Sequence, residues 1–103
     1  MFNEIEMNNP DIAVSIIIAA YNASGHIERA LDSCLGQTFQ NFEVIIINDG
    51  STDDTLQIVG KYTERDSRFS VYSQPNAGQG VARNRAIERA VGEFVTILDA
   101  DDE

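Results

Sequence analysis

Acidic side chains crowd one stretch of the sequence. Asp99, Asp101 and Asp102 directly follow the apolar run Phe94-Val-Thr-Ile-Leu98. Two like charges held about 4 Å apart repel by about 4 kcal/mol at intermediate dielectric, so such a cluster calls for a cation or for protons. A hard divalent ion suits it, because magnesium-type sites take one or two carboxylates and draw their other ligands from water and phosphate. A solvated acidic turn is the simpler alternative. Asp49 follows a second apolar run, Glu43-Val-Ile-Ile-Ile-Asn48, and adds charge of the same sign. An EF-hand loop starting there is excluded, since Asp54 stands where the loop needs glycine and Gly60 where it needs glutamate. Asn48-Asp49-Gly50-Ser51 also reads as a turn with Ser51 or Thr52 as helix cap. Asn76-Ala-Gly-Gln-Gly80 precedes a helical stretch, and its glycines let backbone approach an anion at a helix start. Arg83 shares the inward stripe of Ala86, Ile87 and Ala90 and requires a partner: Asp99 or Glu43, or else a phosphate or base. Tyr21 closes the first apolar run and could stack on a ring.

Those residues need a frame. Val14-Ser-Ile-Ile-Ile-Ala-Ala20, Glu43–Asn48 and Phe94–Leu98 are continuous apolar runs, the pattern of parallel strands covered on both faces. Arg68-Phe-Ser-Val-Tyr-Ser73 alternates and suits a half-exposed edge strand. Ile27, Ala30, Leu31, Cys34 and Leu35 form one helical stripe, with Ser24 as its N-cap. Helices are also predicted over Thr55 to Thr63, on Leu56, Val59 and Tyr62, and over Val81 to Val91, stopped by Gly92. The order β-α-β-α-β-α-β with right-handed crossovers predicts an α/β fold: a parallel sheet in order 3-2-1-4 with helices on both faces. Ligands of such sheets bind beyond the strand carboxyl ends, where strand order reverses. The segments expected there are Tyr21–Ser24, Asp49–Asp53 and Asp99–Asp102.

Composition narrows the function. The chain has 103 residues, 43% hydrophobic and 23% charged, an ordinary globular balance. Its formal charge of −10, from 17 acids against 7 bases, disfavours phosphate backbones and anionic membranes as general partners. The one cysteine, Cys34, permits no internal disulfide and suggests a reducing, cytoplasmic setting. No Ser-His-Asp or Cys-His arrangement can be composed, and His26 lacks companion ligands. Residues 1–12 read as a flexible acidic leader without signal-peptide character, and 13–103 as the folded unit.

Four ordered blocks resemble the family 2 glycosyltransferases of the GT-A fold, in particular bacterial exopolysaccharide-building members. They are Val14–Asn22, Glu43–Asp53, Asn76–Asn84 and Gly92–Asp102. The resemblance implies roles at matched positions. Ala20, Tyr21 and Asn22 would line a base pocket, Asp49 would recognise uracil, and Gly78 and Arg83 would lie along the nucleotide. Asp99-Ala100-Asp101 matches the family's DxD motif, with Asp99 near ribose or sugar and Asp101 holding Mn2+ or Mg2+ on the diphosphate. It further implies a UDP-sugar donor, inverting transfer and a glycan acceptor; the location expected is cytoplasmic, with the inner face of a membrane as the alternative for a longer parent enzyme. The family's general base lies beyond the position of Glu103, so no catalytic residue is assigned within the chain. Nucleotide binding without sugar transfer is the expectation. The fourth strand is expected to leave an apolar edge open to a second copy.

Two other readings remain at this point. Gly78-x-Gly80 with Asp99 about 20 residues on resembles a dinucleotide fingerprint, although Arg83 takes the place of its third glycine and the motif follows the third strand. The scaffold could also serve as a non-catalytic, self-associating module. A phosphoacceptor receiver is disfavoured, since the only lysine, Lys61, falls in a predicted helix.

Overall fold

The computed structural model describes residues 12–37 and 40–100. Its elements run β1 (Val14–Ala20), α1 (Ile27–Leu35), β2 (Phe42–Asp49), α2 (Thr55–Arg65), β3 (Phe69–Gln74), α3 (Gln79–Arg89) and β4 (Phe94–Ile97). The four strands are parallel, in the predicted order β3-β2-β1-β4. The register sets Ala20 beside Asn48 and Asn48 beside Ser73, so β1, β2 and β3 end nearly level.

Strand alternation divides the core in two. Ile16, Ile18, Val44, Ile46 and Phe69 face the side covered by α1 and α2, where they meet Ile27, Leu31, Cys34 and Val59. Ile17, Ala19, Ile45 and Ile47 face α3 and meet Ala82 and Ala86. Each fully buried Ile or Leu contributes about 1.5–3 kcal/mol, which is why the β-branched runs hold the central strands. Small alanines on α3 let that helix lie close over β1 and β2. Among the described residues no helix is long and apolar enough to cross a membrane.

Several expectations are corrected. Ser24 does not cap α1. The cap position is His26, without a side-chain cap, and the N–H groups of His26 and Ile27 donate to Ala23 O instead. Neither Ser51 nor Thr52 caps α2, because both are engaged with the loop after β1. The helical stripes are narrower than their periodicity suggests, with Leu35, Leu56 and Ile87 exposed. β4 is the largest departure. Its apolar run implied burial on both faces, yet all four residues are exposed, Phe94 by 63%. It lies at the sheet edge and among the described residues pairs with β1 alone, while Ser33 and Cys34 of α1 border Thr96 and Ile97 across an open pocket without covering them.

Gly92 does not end α3, which stops at Arg89. It passes so close to β1 that a Cβ there would lie 2.7 Å from Ser15 Oγ and 2.8 Å from Ser15 N. Its N–H donates to Ser15 Oγ, and that hydroxyl donates to Glu43 Oε2, which also accepts from Val91 N–H. This partly buried knot fastens the entry to β4 at the amino end of the sheet and leaves the carboxyl end open for chemistry.

Candidate functional site

Residues 21–24, residues 49–53 and the described part of the third predicted segment, residues 99–100, gather at the carboxyl ends of β1, β2 and β4, and a fourth, residues 74–78 at the end of β3, joins them. Tyr21 leaves β1 with its side chain 52% exposed. The next residues are stitched to the β2–α2 turn. Asn22 N–H donates to Ser51 Oγ, Thr52 N–H donates to Asn22 Oδ1 at 2.8 Å, and Ala23 N–H donates to Thr55 Oγ1 at 2.8 Å. Ser24 N–H donates to Asp53 Oδ2, while Asp53 Oδ1 accepts from the Thr55 hydroxyl and backbone N–H. The Thr55 hydroxyl is the main reason that the Asp53 carboxyl is held at about 2; burial opposes it, and the N–H donors add to it.

Asp49 lies 3% exposed at the end of β2. Its Oδ1 accepts from Gln74 Nε2 at 2.8 Å and Ala77 N–H at 2.7 Å. Its Oδ2 accepts from Gly78 N–H at 2.9 Å and Asn76 Nδ2 at 3.2 Å. Burial pushes this carboxyl up, but the donors from Gln74, Ala77 and Gly78 outweigh it and hold it below the ordinary value. The expectation that Asp49 joins a cation-seeking acidic cluster is therefore corrected: protein N–H groups neutralise it. Gly50 explains why the loops can meet. It has φ 73, and a Cβ there would lie 2.6 Å from Asn76 N.

Gly78 precedes α3 and ties its start to Asp49. Arg83, one turn further on, lies half-buried on the flank of the Ala82 and Ala86 stripe. Its Nε is buried and has no hydrogen-bond partner among the described residues. Glu43, one partner considered for it, is committed to Ser15 and Val91. A buried guanidinium N–H without an acceptor costs free energy, so this one has room for an acceptor that the described residues do not supply.

Beyond β4, Leu98 N–H donates to Ile17 O and continues the pairing. Asp99 is half-buried, while Ala100 is 4% exposed and shares a core cluster with Ala20 and Ala23. The middle residue of the Asp-Ala-Asp triplet is thus an anchor at the end of β1. Asp101 and Asp102 lie outside the described residues. Among the described residues, no three His, Cys, Asp or Glu side chains gather to hold a metal. The carboxylate oxygens of Asp99 and Asp101 are nonetheless the hard donors that Mg2+ or Mn2+ takes.

Sequence reasoning missed Gln74 and Thr55, and it named Asn76 and Asp53 within the expected segments without their part in fixing the loops. Asn and Asp before a helix carried a signal, but only as turn formers. A groove of about 360 Å³ runs elsewhere, lined by Val81, Asn84, Arg85, Glu88 and Arg89 of α3 alone. It shares no residue with the strand ends, where four loops converge.

The architecture is that of an open parallel α/β protein, in which ligands bind at the strand-end loops of the switch point. The model of the family described as Glycosyl transferase family 2 matches residues 15–103, and the chain belongs to that family. It is 44% identical over 97 residues to the uncharacterized glycosyltransferase YibD of Escherichia coli, covering 94% of this chain and 28% of that protein. S. aureus TarS 1-349 in complex with UDP-GlcNAc superposes with TM-score 0.83 at 39% identity, covering 87% of this chain and 27% of TarS 1-349. The mannosyltransferase PcManGT of Pyrobaculum calidifontis, in complex with GDP-Man and Mn2+, superposes with TM-score 0.79 at 31% identity, covering 85% and 27%. The chain spans little more than a quarter of the length of YibD, of TarS 1-349 and of the PcManGT chain. The predicted fold and family are thereby established, and the dinucleotide-domain reading falls.

Proposed function

We propose that this chain forms the donor-binding portion of a metal-dependent glycosyltransferase that uses a UDP-sugar. One observation carries the reading: a buried, unpartnered Arg83 Nε on a helix whose start is tied to the strand-end loops. TarS with UDP-GlcNAc supports a uridine donor, and PcManGT with Mn2+ supports a divalent ion.

In this reading Tyr21 stacks on the base, while Ala20 and Asn22 supply the backbone beside it. Asp49 shapes the Asn76–Gly78 turn. A base N–H reaches Oδ2 by replacing its longest contact, the 3.2 Å one from Asn76, whose amide keeps a 3.0 Å bond to Asp49 O. Gly78 offers close backbone, and Arg83 donates to phosphate. Asp99 faces ribose or sugar, Ala100 anchors the turn, and Asp101 holds Mn2+ or Mg2+. The ion neutralises diphosphate charge that a −10 chain would repel and stabilises the leaving group. No residue of the chain is assigned as general base. Inverting transfer to a glycan acceptor, a role in exopolysaccharide synthesis and a cytoplasmic location complete the proposal.

A thermal-shift panel of UDP, GDP, ADP and NAD, each with and without Mg2+ or Mn2+, tests it. We expect the largest stabilisation from UDP with a divalent ion, because a ligand that binds only the folded state raises Tm. Equal or absent shifts throughout would defeat the proposal.

A second copy of the chain is proposed to cover β4, since exposed Phe94, Val95 and Ile97 stand at an edge that pairs on one side only. Light scattering is expected to show a dimer that Val95→Lys dissolves. A monomer at all concentrations would refute this.

A further inference from the structure

We propose that Asn22 is a positioning residue for nucleotide binding: it holds Tyr21 in its stacking pose by locking the loop after β1 onto the β2–α2 turn. The inference rests on the nucleotide reading above and extends it to a residue acting through its neighbour.

Asn22 is the only non-glycine residue at positive φ among the described residues, at 48°. Asparagine tolerates this left-handed region better than most residues because its short side chain can satisfy nearby backbone. Here it does so across 30 positions of sequence. Its Oδ1 accepts from Thr52 N–H at 2.8 Å and from the Thr52 hydroxyl at 3.3 Å, while its own N–H donates to Ser51 Oγ at 3.0 Å. It is therefore bound in both directions to one turn. Ala23 and Ser24 are held to the same turn through Thr55 and Asp53. Three successive N–H groups after Tyr21 are thus consumed inside the protein, which excludes the loop as an anion cradle. What it leaves open is the Tyr21 ring. A ring displayed on a rigid mount stacks without a fresh ordering cost, and preorganisation of this kind raises affinity without a new contact. The Tyr21 position is set by the conformation of Asn22, and that conformation is set by Thr52 and Ser51.

A double-mutant cycle on the chain, read by calorimetric titration of UDP with Mg2+, tests the assignment. Asn22→Gly keeps the backbone conformation available and removes the side-chain half of the clamp, the two bonds from Thr52 to Oδ1. It should weaken UDP binding about fivefold, and Tyr21→Ala about tenfold. Because Asn22 acts through Tyr21, the double variant should bind no more weakly than Tyr21→Ala alone. Amide exchange at Thr52 should quicken in Asn22→Gly. Asn22→Asp, which keeps the acceptor and accepts left-handed backbone, should restore most of the affinity, and it stands as the deciding variant if the glycine one does not fold. Additive losses, or an Asn22→Gly affinity within twofold of the unaltered chain, would overturn the proposal while leaving the nucleotide reading in place. A tenfold loss in Asn22→Asp would also overturn it. Failure of the unaltered chain to bind UDP would overturn both.

Discussion

Asp49→Asn should lower the stability of the chain by about 2–4 kcal/mol, a large share of the roughly 5–15 kcal/mol that holds a small domain together. The carboxylate receives four N–H donors, two on each oxygen. An asparagine amide keeps one oxygen and turns its NH2 toward the other pair, so either Ala77 or Gly78 loses its acceptor in a buried setting. The charge also matters. Because the folded-state carboxyl lies below its ordinary value, the stability it contributes is present above about pH 4 and is lost as pH falls through the folded value. Asp53, held at about 2, acts with the same sign. Urea denaturation should therefore show the unaltered chain weakening from pH 4 toward pH 2 and Asp49→Asn weakening less over that range. A variant within about 0.5 kcal/mol of the parent at pH 7 would show that the carboxylate is not the staple of the 74–78 loop.

Arg83→Met should move binding and stability in opposite directions. Methionine keeps most of the stem and removes the guanidinium. Charge-assisted bonds to a phosphate contribute about 1.5–3 kcal/mol, so UDP affinity should fall about 10- to 100-fold. The ligand-free chain should hold its Tm or gain slightly, because a buried donor without an acceptor has been removed. If Arg83 were an internal tie instead, the same change would lower Tm and leave the affinity nearly intact. Calorimetric titration beside thermal melts separates the two.

The frame was legible because its signals are local. β1 was predicted residue for residue from a β-branched run, and β2 and β3 to within one or two residues. Strand order followed from crossover handedness and one alternating segment. The site was legible only in outline. The positions of Tyr21, Asp49 and Asp99 at strand ends followed from the topology, since each comes directly after an apolar run. Their partners did not, because side-chain bonds such as Asn22 to Thr52 and Asp49 to Gly78 cross about 30 residues and leave no periodic trace. The charge argument misplaced Asp49 for the same reason: sequence displays the carboxylate but not the four N–H groups folded around it. The apolar run of β4 revealed a strand but not its coverage. Apolar character records what a strand must bury, and the described residues leave all four residues of β4 exposed.

The account stands or falls on whether the loops after the strands jointly hold a nucleoside diphosphate and an ion. Isotope-labelled chain, titrated with UDP and Mg2+ and then with trace paramagnetic Mn2+, reports this amide by amide. We expect UDP to shift residues 20–24, 49–53 and 76–83, and Mn2+ to broaden Asp99 and Ala100 only when UDP is present. Shifts confined to the outer side of α3 or to β4, or Mn2+ broadening that ignores UDP, would contradict it.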